Sequence, residues 1–547
     1  MLPLALSLAS PAAACGGLFC DPYGSGPIDQ SGEIVVFDVD QQDQMVEVDV
    51  RISYEGAAHD FAWILPVPGV PQLFRSTNAL FESLDAATAL NAELAREEFN
   101  CGRGFSDTDT DSDADSDTDA DVDIDTPGTG VDVVDVGQVG PYETVVLTAT
   151  SPDALTTWLD AKGYALPVNF SEAVTPYVAP GMHFVALRLS SEAEVGDIEP
   201  IGVRYPGTVP IIPLRLTSVA ATEDMPVDVI LLGSSRAVPT NYLHVRLNPI
   251  VYPWWGGPGF PDRIARAVDE AGGHAFVTTF AGTPYVRPVY DERQYDPDAL
   301  AERADPAAFV SMAAGYGYSL EDPAAIAALV PFLPPPYGMD AGRFYGCPQC
   351  YPAEYAELAE TFDPVGAAAA LDGAVAEPLR RAQSVLDANP VVTRLRTAVS
   401  PHEMTVDPTF AFNQDLPMVP LRRMATLRLS CGPDQSREDG IYQLETRGHP
   451  PVMMPPSSFA NPEEWLADRT DHFAMVVEQL SDAGPGEVLA DFTEEIDWSM
   501  HPPTGRVTEG TRILRGCGCD AGHGAAAALP LLPVAWLLRR RRTRRSR

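Results

Sequence analysis

EIVVFDVD (33–40) and MVEVDVRISYEG (45–56) are the two stretches that decide the fold class of this chain. In both of them apolar side chains alternate with polar ones, which is the two-residue period of a strand that buries one face. DFAWILPVPGV (60–70) continues the same pattern towards the C-terminus. The sequence therefore predicts a predominantly β N-terminal half.

Helical patterns follow and then mix with further strands. One helix is predicted roughly over Asn78 to Glu98, and Ser151 with Pro152 predicts the cap and first residue of another. Other strands are predicted at VDVVDVGQVGPYETVVLTAT (131–150), HFVALRLS (183–190), PIGVRYPG (200–207), VPIIPLRLTSV (209–219), PVDVILLGS (226–234) and HAFVTTF (274–280), and one more helix at DRIARAVDEAGG (262–273). We expect an α+β fold with a β-rich N-terminal half and a more helical region around 320–390.

Composition limits the classes of function that are open to the chain. It has 547 residues, 45% of them hydrophobic, which is enough for a sizeable core. The 52 prolines and 43 glycines favour many short elements joined by turns. A formal net charge of −41 repels phosphate backbones, so we expect no nucleic-acid partner.

The first fourteen residues, MLPLALSLASPAAA, are typical of the later part of a secretory signal peptide. Ala12 and Ala14 satisfy the small-residue rule for cleavage before Cys15, although no positively charged segment precedes the apolar run. Cys15 is then the first residue of the mature chain, and a lipid on Cys15 or a short N-terminal strand are the alternatives. The export machinery is the partner that this segment implies.

The C-terminal residues 516–547 are typical of a sorting or membrane-anchor tail. Cys517 and Cys519 precede a short spacer, an apolar run from Ala525 to Leu538, and seven arginines. Fourteen helical residues span roughly 21 Å, less than the ~30 Å of a bilayer core. The tail resembles the MYXO-CTERM signal of myxobacteria, which implies removal by a dedicated protease at a sorting cysteine that can carry a lipid. An uncleaved transmembrane anchor is the alternative.

The remaining cysteines predict disulfides in an exported chain. Six are left when the two tail cysteines are set aside, and we expect local pairs of Cys15 with Cys20 and of Cys347 with Cys350. Cys101 and Cys431 then pair by elimination. The spacing of Cys347-Pro348-Gln349-Cys350 also suits a thiol-redox site or half of a zinc site. No second CxxC or histidine pair lies within forty residues of it, so a structural disulfide is the favoured interpretation.

An aspartate tract is the sharpest local feature of the sequence. Every second residue from Asp107 to Asp125 is aspartate. The tract is predicted to be a disordered acidic insertion within one domain, because strand patterns resume directly after it. Its carboxylates can also bind Ca²⁺ weakly, and the candidate ligands are Asp107, Asp109, Asp111, Asp113, Asp115, Asp117 and Asp119. Loosely bound calcium is the one cofactor that the sequence suggests.

A search for catalytic motifs gives no catalytic or cofactor-binding residue. GxSxG, HExxH, GxxxxGK[ST] and GxGxxG are all missing from the sequence. HE (402–403) begins like a zinc-protease motif but lacks the second histidine. HD (59–60) as an acid/base pair and WW (254–255) as an aromatic binding platform are each less expected than ordinary strand-edge or core residues. Whether the chain is an enzyme is left open, with the balance against it.

Several stretches together carry a resemblance to a known family. They are ACGGLFC, DFAWILPVP, VGPYETVVLTA with TTWLDAKGYALP, IPLRLTSVAA, and TRLRTAVSPHEMTVDPTFAFN, in that order over roughly residues 14–415. In these pieces the chain resembles the bacterial family DUF2330, which has no assigned function. The resemblance implies an exported bacterial protein and supplies no catalytic residues.

These observations predict the organisation of the whole chain. Residues 1–14 form a signal peptide, 15–415 a DUF2330-like region with the insertion at 107–125, 416–515 a mixed C-terminal part, and 516–547 the tail. We expect a protein of the cell envelope or cell surface with a structural or binding role. The alternatives are an envelope enzyme, either a hydrolase or a thiol-redox protein using Cys347 and Cys350, and a calcium-responsive adhesin.

Overall fold

The structure is a computed structural model that describes residues 29–55, 62–99, 130–162, 164, 166–167, 169–189, 199–430 and 440–498. By its internal contacts the chain divides into Met1–Met500 and His501–Arg547, and the second unit lies outside the described residues. The strands are β1 (Asp29–Asp40), β2 (Met45–Glu55), β3 (Ala62–Val67), β4 (Gln72–Arg75), β5 (Asn91–Phe99), β6 (Val131–Val139), β7 (Tyr142–Ala149), β8 (His183–Leu189), β9 (Ile201–Pro206), β10 (Met225–Gly233), β11 (Arg236–Pro239), β12 (Leu243–Leu247), β13 (Ala275–Gly282), β14 (Val391–Val399), β15 (Phe410–Asn413), β16 (Arg422–Ser430), β17 (Ile441–Thr446), β18 (Val452–Met454), β19 (Ala474–Gln479) and β20 (Glu487–Asp491).

The helices interrupt this series at several points. They are α1 (Asn78–Thr88), α2 (Pro152–Ala161), α3 (Phe170–Val178), α4 (Leu214–Thr217), α5 (Phe260–Glu270), α6 (Pro297–Ala301), α7 (Pro306–Gly315), α8 (Pro323–Leu329), α9 (Ala341–Gly346), α10 (Pro352–Leu358), α11 (Pro364–Leu371), α12 (Glu377–Ala388) and α13 (Pro462–Ala467). Strands and helices are not regularly alternated, and the sheets are mixed, so the predicted α+β class is confirmed.

A ten-stranded sheet, the large sheet, organises the structure. Its strand order is β20-β19-β12-β13-β14-β10-β1-β2-β9-β4. β1 runs parallel to β10 and β12 parallel to β13, whereas β1 and β2 are antiparallel. Its strands come from nearly the whole described length of the chain, so the sheet is assembled by contacts that are remote in sequence.

Both faces of the large sheet are covered, as the alternation in β1 requires. Val35 and Phe37 point into the main core, while Val36 points to the opposite face. The main core is closed by helix α5 and by a second sheet, with strand order β3-β8-β7-β6, whose other face is covered by α2 and α3. On the opposite face of the large sheet, α1 and α12 pack against Val36 and Ile230.

The segment between β13 and β14 forms a helical lobe, residues 297–371, with α6 to α11. Its separate core includes Phe309, Leu329 and Tyr345. Four of its helices start at an Asp-Pro pair, in which aspartate caps the free N–H groups and proline takes the first helical position. These pairs begin at Asp296, Asp305, Asp322 and Asp363. The lobe accounts for the helical character expected around 320–390.

A third sheet, with strand order β18-β17-β16-β5, packs over Trp254 and Leu466, and a two-stranded ribbon of β11 and β15 lies beside the large sheet. β5 corrects the prediction of one helix from Asn78 to Glu98. The helix ends at Thr88, and the chain continues as a strand that pairs in parallel with β16. That partner lies more than 300 residues away in sequence, so local helical propensity is overridden by tertiary pairing.

A second correction concerns VPIIPLRLTSV (209–219), which is predicted as a strand. The structure has the short helix α4 there, and one isolated bridge between Ile211 and Thr409. Pro210 and Pro213 have no N–H to donate to a sheet ladder, and Pro213 instead precedes the first helical residue. The predicted helix start at Ser151 and Pro152 is confirmed.

Candidate functional site

A cleft of about 410 Å³ opens between the large sheet and helix α12. The ends of β1, β2 and β9 form its floor and α12 forms its wall, and we call it the α12 cleft. Most of its lining residues are charged, which suits a polar ligand better than an apolar one. The charged lining residues are Asp38, Asp40, Glu47, Arg204, Glu377, Arg380 and Arg381.

Three of these charged residues lie side by side across the floor. Asp38 on β1 pairs with Glu47 on β2, and Glu47 pairs with Arg204 on β9. Cross-strand partners project to the same face of a sheet, so the three side chains share the floor of the cleft. Phe37, the neighbour of Asp38, points into the main core. The alternation that buries β1 on one side therefore presents its carboxylates on the other.

Arg381 fixes the wall of the cleft to its floor. Its Nε donates a hydrogen bond of 3.1 Å to Glu47 Oε1, and its guanidinium lies 3.7 Å from the centre of the Phe74 ring. The Phe74 ring occupies the space beside Gly202, where a Cβ would come within 1.9 Å of it. Glycine at 202 therefore permits the ring to lie where Arg381 stacks on it.

Arg380, the neighbouring residue on α12, is held from the other side. Its guanidinium donates to Glu377 and, at 2.9 Å, to Asp372 Oδ1. Asp372 begins a π-helical turn, Asp372–Ala376, that leads directly into α12. Such turns occur frequently at functional sites because they shift the register of the residues that follow. The wall of the cleft is thus positioned by ion pairs at both of its arginines.

Burial disfavours the ionised forms of Asp38 and Glu47, the carboxyl groups on the floor of the cleft. It raises the pKa of Asp38 above the usual range, against a 3.1 Å hydrogen bond from Asn389 and the charge of Arg204. It also raises the pKa of Glu47, against the charge of Arg381. A bound cation would stabilise the ionised carboxylates, because a nearby positive charge favours the ionised form of a carboxyl group.

Asp49 lies two residues from Glu47 on β2, on the same face of the large sheet but outside the lining of the cleft, and is 5% exposed. Burial raises the pKa of Asp49 to about 7, and the charges of Glu47 and Asp38 contribute to that rise. Asp49 is therefore partly protonated near neutral pH, so its charge responds to a charged ligand in the neighbouring cleft.

Arg204 also lines the cleft, and no residue that the structure describes forms an ion pair with its guanidinium. Its positive charge offsets part of the rise that burial causes in the pKa values of Asp38 and Glu47, and it helps to lower the pKa of Asp40. No hydrogen bond or ion pair within 4.0 Å joins it to another described side chain. A half-buried guanidinium with free donors is a ready anchor for a carboxylate or another planar anion.

A second constellation, on β12, β13 and β19, has the order of a hydroxyl-activating triad. His244 Nδ1 lies 2.9 Å from Glu478 Oε1, and His244 Nε2 lies 2.9 Å from Thr278 Oγ1. Arg236 also donates to Thr278 Oγ1, at 3.2 Å. Burial lowers the pKa of His244, and the hydrogen bond from His244 lowers the pKa of Glu478. A carboxylate, a neutral imidazole and a hydroxyl in this order can activate a nucleophile.

The burial of this triad speaks against catalysis. His244 is 3% exposed, Thr278 is 7% exposed and Arg236 is 6% exposed. A nucleophile must come within about 3–3.5 Å of a substrate atom, and a covered hydroxyl cannot do so. The geometry instead matches a closed buried network in which the positive charge of Arg236 is balanced by Glu478.

The disulfide predicted between Cys347 and Cys350 is confirmed. It closes the short turn between α9 and α10, and Cys350 is exposed. In this state both sulfurs are bonded to each other, so neither is a thiolate that could bind zinc.

The other predicted site residues lie outside the described residues. They are the disulfide candidates Cys15, Cys20, Cys101 and Cys431, the sorting cysteines Cys517 and Cys519, and the calcium candidates Asp107, Asp109, Asp111, Asp113, Asp115, Asp117 and Asp119. The pair HD (59–60) and the apolar run Ala525–Leu538 are outside them as well. These expectations remain predictions.

Two weaker candidates are structural. Trp254 is 5% exposed and donates its Nε1–H to the Pro249 carbonyl, so it belongs to the core of the third sheet. Glu403 accepts a hydrogen bond from the Ser400 backbone N–H. Among the described residues, no group of three or more His, Cys, Asp or Glu side chains is placed to bind a metal ion. No described helix has the length and apolar character needed to cross a membrane.

The α12 cleft was not predicted from the sequence, although one signal of it was visible. In VFDVD (36–40) two aspartates occupy the same face of a strand whose neighbours are buried. Acidic residues on a covered face of a sheet indicate a polar site there, since burying an unpaired charge is costly. Their partners could not be found in this way, because α12 lies more than 330 residues further along the chain.

Comparison with known proteins assigns the chain to a family. No curated protein and no solved structure matches it. The model of a family described as "Uncharacterized protein conserved in bacteria (DUF2330)" matches residues 9–309, more than half of the chain. That match includes β1, β2 and β9, which form the floor of the α12 cleft, and it ends within α7 of the helical lobe. The chain belongs to the DUF2330 family.

Proposed function

We propose that this protein is an exported component of the bacterial cell envelope that binds a small polar ligand in the α12 cleft. The observation that carries the binding role is the cleft itself. It combines a volume of about 410 Å³ with an unpaired arginine, Arg204, and with carboxylates whose ionised forms are disfavoured by burial. The arginine can pair with an anionic group of a ligand, and the carboxylates can pair with a cationic group.

The cleft is formed in advance of any ligand. Arg381 is held by Glu47 and Phe74, and Arg380 is held by Asp372, so the wall does not have to be ordered on binding. A site whose side chains are fixed by their neighbours loses less conformational entropy when it binds. This favours recognition of a defined small molecule over loose ion capture.

The envelope location is supported by the two ends of the sequence and by one disulfide. A signal-like segment at residues 1–14 and a sorting tail at residues 516–547 both direct the intervening chain out of the cytoplasm. The bond between Cys347 and Cys350 suits an oxidising compartment. Export machinery and a C-terminal sorting protease are the partners that this location requires.

A cleft-filling variant tests the binding role. Ser384 is an exposed lining residue on α12, and Ser384→Trp fills the cleft without removing a charge. Ser311→Trp, at an exposed serine of α7 outside the lining, is the matched control. Binding is measured by isothermal titration calorimetry with amino acids, dipeptides, polyamines and monosaccharides. At least one compound should bind the wild type and the control, and bind Ser384→Trp at least tenfold more weakly.

Failure of every compound to bind, or equal binding by the Ser384→Trp variant, would overturn the binding role. The location is tested separately by the intact mass of the protein from its native envelope. We expect a chain that starts at Cys15 and lacks the arginine-rich tail. Finding residues 1–14 and 520–547 intact would contradict export and sorting.

The alternative functions have their own observations. A thiol-redox role requires Cys347 and Cys350 to be reduced by a mild thioredoxin-type reductant, and resistance would exclude it. A hydrolase would use Thr278, which a fluorophosphonate probe should then label in the wild type but not in His244→Gln. A calcium-responsive adhesin should lose calcium-dependent attachment when residues 107–125 are deleted.

A further inference from the structure

We propose that the ligand of the α12 cleft is a zwitterion with an aliphatic body, of the size of an amino acid or a dipeptide. Its ammonium group would lie at Asp38 and Asp40, and its carboxylate at Arg204. The inference rests on the proposed binding role and adds the chemical class of the ligand.

Three charged lining residues of the cleft take no part in the ion pairs that the other charged lining residues form. Arg381 and Glu47 neutralise each other, and Arg380 is neutralised by Glu377 and Asp372. Arg204, Asp38 and Asp40 are not joined in an ion pair within 4.0 Å, although all three line the cleft.

The two aspartates offer a place for a cation. Asp38 and Asp40 are two residues apart on β1 and therefore face the same side of the sheet. Asp38 Oδ1 accepts a hydrogen bond from Asn389, and the carboxylate also accepts one from the Val39 backbone. Asp40 is bound by the backbone N–H groups of Gln42 and Asp43, also through Oδ1. Oδ2 of Asp40 accepts neither of these two bonds, the oxygens of Asp38 have lone pairs in addition to those that the two hydrogen bonds use, and an ammonium group has three donors.

Arg204 offers the opposite end. It lies two strands away from Asp38, since β2 separates β1 from β9, and neighbouring strands are about 4.8 Å apart. The backbones of the two anchors are thus about 10 Å apart. The termini of an extended dipeptide are about 7 Å apart, so both of its charged ends fit within this span and within reach of the Asp38 and Arg204 side chains. The neutral pair of Glu47 and Arg381 lies between the anchors.

The apolar lining agrees with an aliphatic body. Met45 on β2 pairs with Asp40 on β1 and with Pro206 on β9, so its side chain lies between the cation and anion anchors. Val385 and Ala388 face the cleft from α12. A methyl or methylene group placed there would be removed from water against these side chains. A purely ionic ligand would leave this surface unused.

The test removes one charge of the ligand at a time. Calorimetry compares L-Ala-L-Ala with its N-acetyl form, which lacks the cation, and with its C-terminal amide, which lacks the anion. Both blocked forms should bind the wild type at least tenfold more weakly. Arg204→Gln should weaken binding of the free dipeptide at least tenfold while leaving binding of the amide unchanged. Asp38→Asn should do the same with respect to the N-acetyl form.

Asp160→Asn is the matched control, because Asp160 is exposed on α2 and does not line the cleft. It should bind the dipeptide as the wild type does. Blocked forms that bind as tightly as the free dipeptide would overturn the inference. If neither the dipeptide nor a free amino acid binds, but another compound binds the wild type and not Ser384→Trp, the zwitterion is wrong and the binding role stands. If no compound binds, both proposals fail.

Discussion

Replacement of Asp49 by asparagine is expected to stabilise the protein, and more so at high pH. Asp49 is buried on β2 beside the α12 cleft, and burial raises its pKa from 3.8 to about 7. The folded state therefore holds a proton that the unfolded state has lost over the interval from about pH 4 to about pH 7. Stability contributed by this residue falls as the pH rises through that interval. Asparagine has nearly the same shape and no charge to bury.

The magnitude follows from the two pKa values. From 3.8 to about 7 is roughly three pH units, and each unit corresponds to about 1.36 kcal/mol. At pH 8 the ionised carboxyl group therefore costs about 4 kcal/mol relative to a neutral isostere. At pH 5 the folded state is protonated, but the unfolded state still gains from ionisation. The cost there is about 2 kcal/mol. Asp49→Asn should recover most of these amounts.

The assay is urea unfolding followed by tryptophan fluorescence, at pH 8 and pH 5, for wild type and variant. If both proteins have the same m value, the difference in midpoint converts directly into free energy. Asp43→Asn serves as the control, because Asp43 is exposed and its neutralisation should leave the midpoint unchanged. A variant that is destabilised at pH 8, or one that gains equally at the two pH values, would refute the reasoning.

Three other changes have defined outcomes. Burial lowers the pKa of His244 below 6.5, so the stability that the neutral imidazole contributes is complete above pH 6.5 and is lost as the pH falls below that value. The urea midpoint of His244→Gln should therefore depend less on pH between 6.5 and 5 than that of the wild type. Gly202→Ala brings a methyl group against the Phe74 ring and should cost about 1–3 kcal/mol; Phe74→Leu in the same chain should restore part of the thermal midpoint, and no rescue would contradict the clash. Cys347→Ser with Cys350→Ser opens a four-residue loop and should cost about 2 kcal/mol or less; a thermal midpoint that collapses would show a larger role for the bond.

Much of the fold could be predicted from local patterns. The alternation in residues 33–56 gave β1 and β2, and Ser151 with Pro152 gave the start of α2. Asp-Pro pairs in the helical lobe could have given four more helix starts, since the same capping chemistry operates there. Patterns of this kind work because each is decided by residues within one turn or one strand.

The errors and the missed site share a different cause. β5 was expected to be helical because its residues favour a helix, and its pairing with β16 is decided far along the chain. The row of Asp38, Glu47 and Arg204 depends on strand register, which one sequence does not reveal. Arg381 then reaches Glu47 from 334 residues away. Sites built from such remote segments follow from the topology and not from any motif.

The strand order of the large sheet also affects how the protein can be made. β12 pairs with β13 on one side and with β19 on the other. β19 is remote in sequence, since His244 on β12 and Glu478 on β19 are 234 residues apart. A chain that emerges from a ribosome or a translocation channel N-terminus first therefore presents β12 as a bare edge until β19 arrives. Bare edges recruit strands from other molecules. A chaperone that shields residues 243–247 during this interval would be expected to raise the yield of native protein more than one that acts after synthesis is complete.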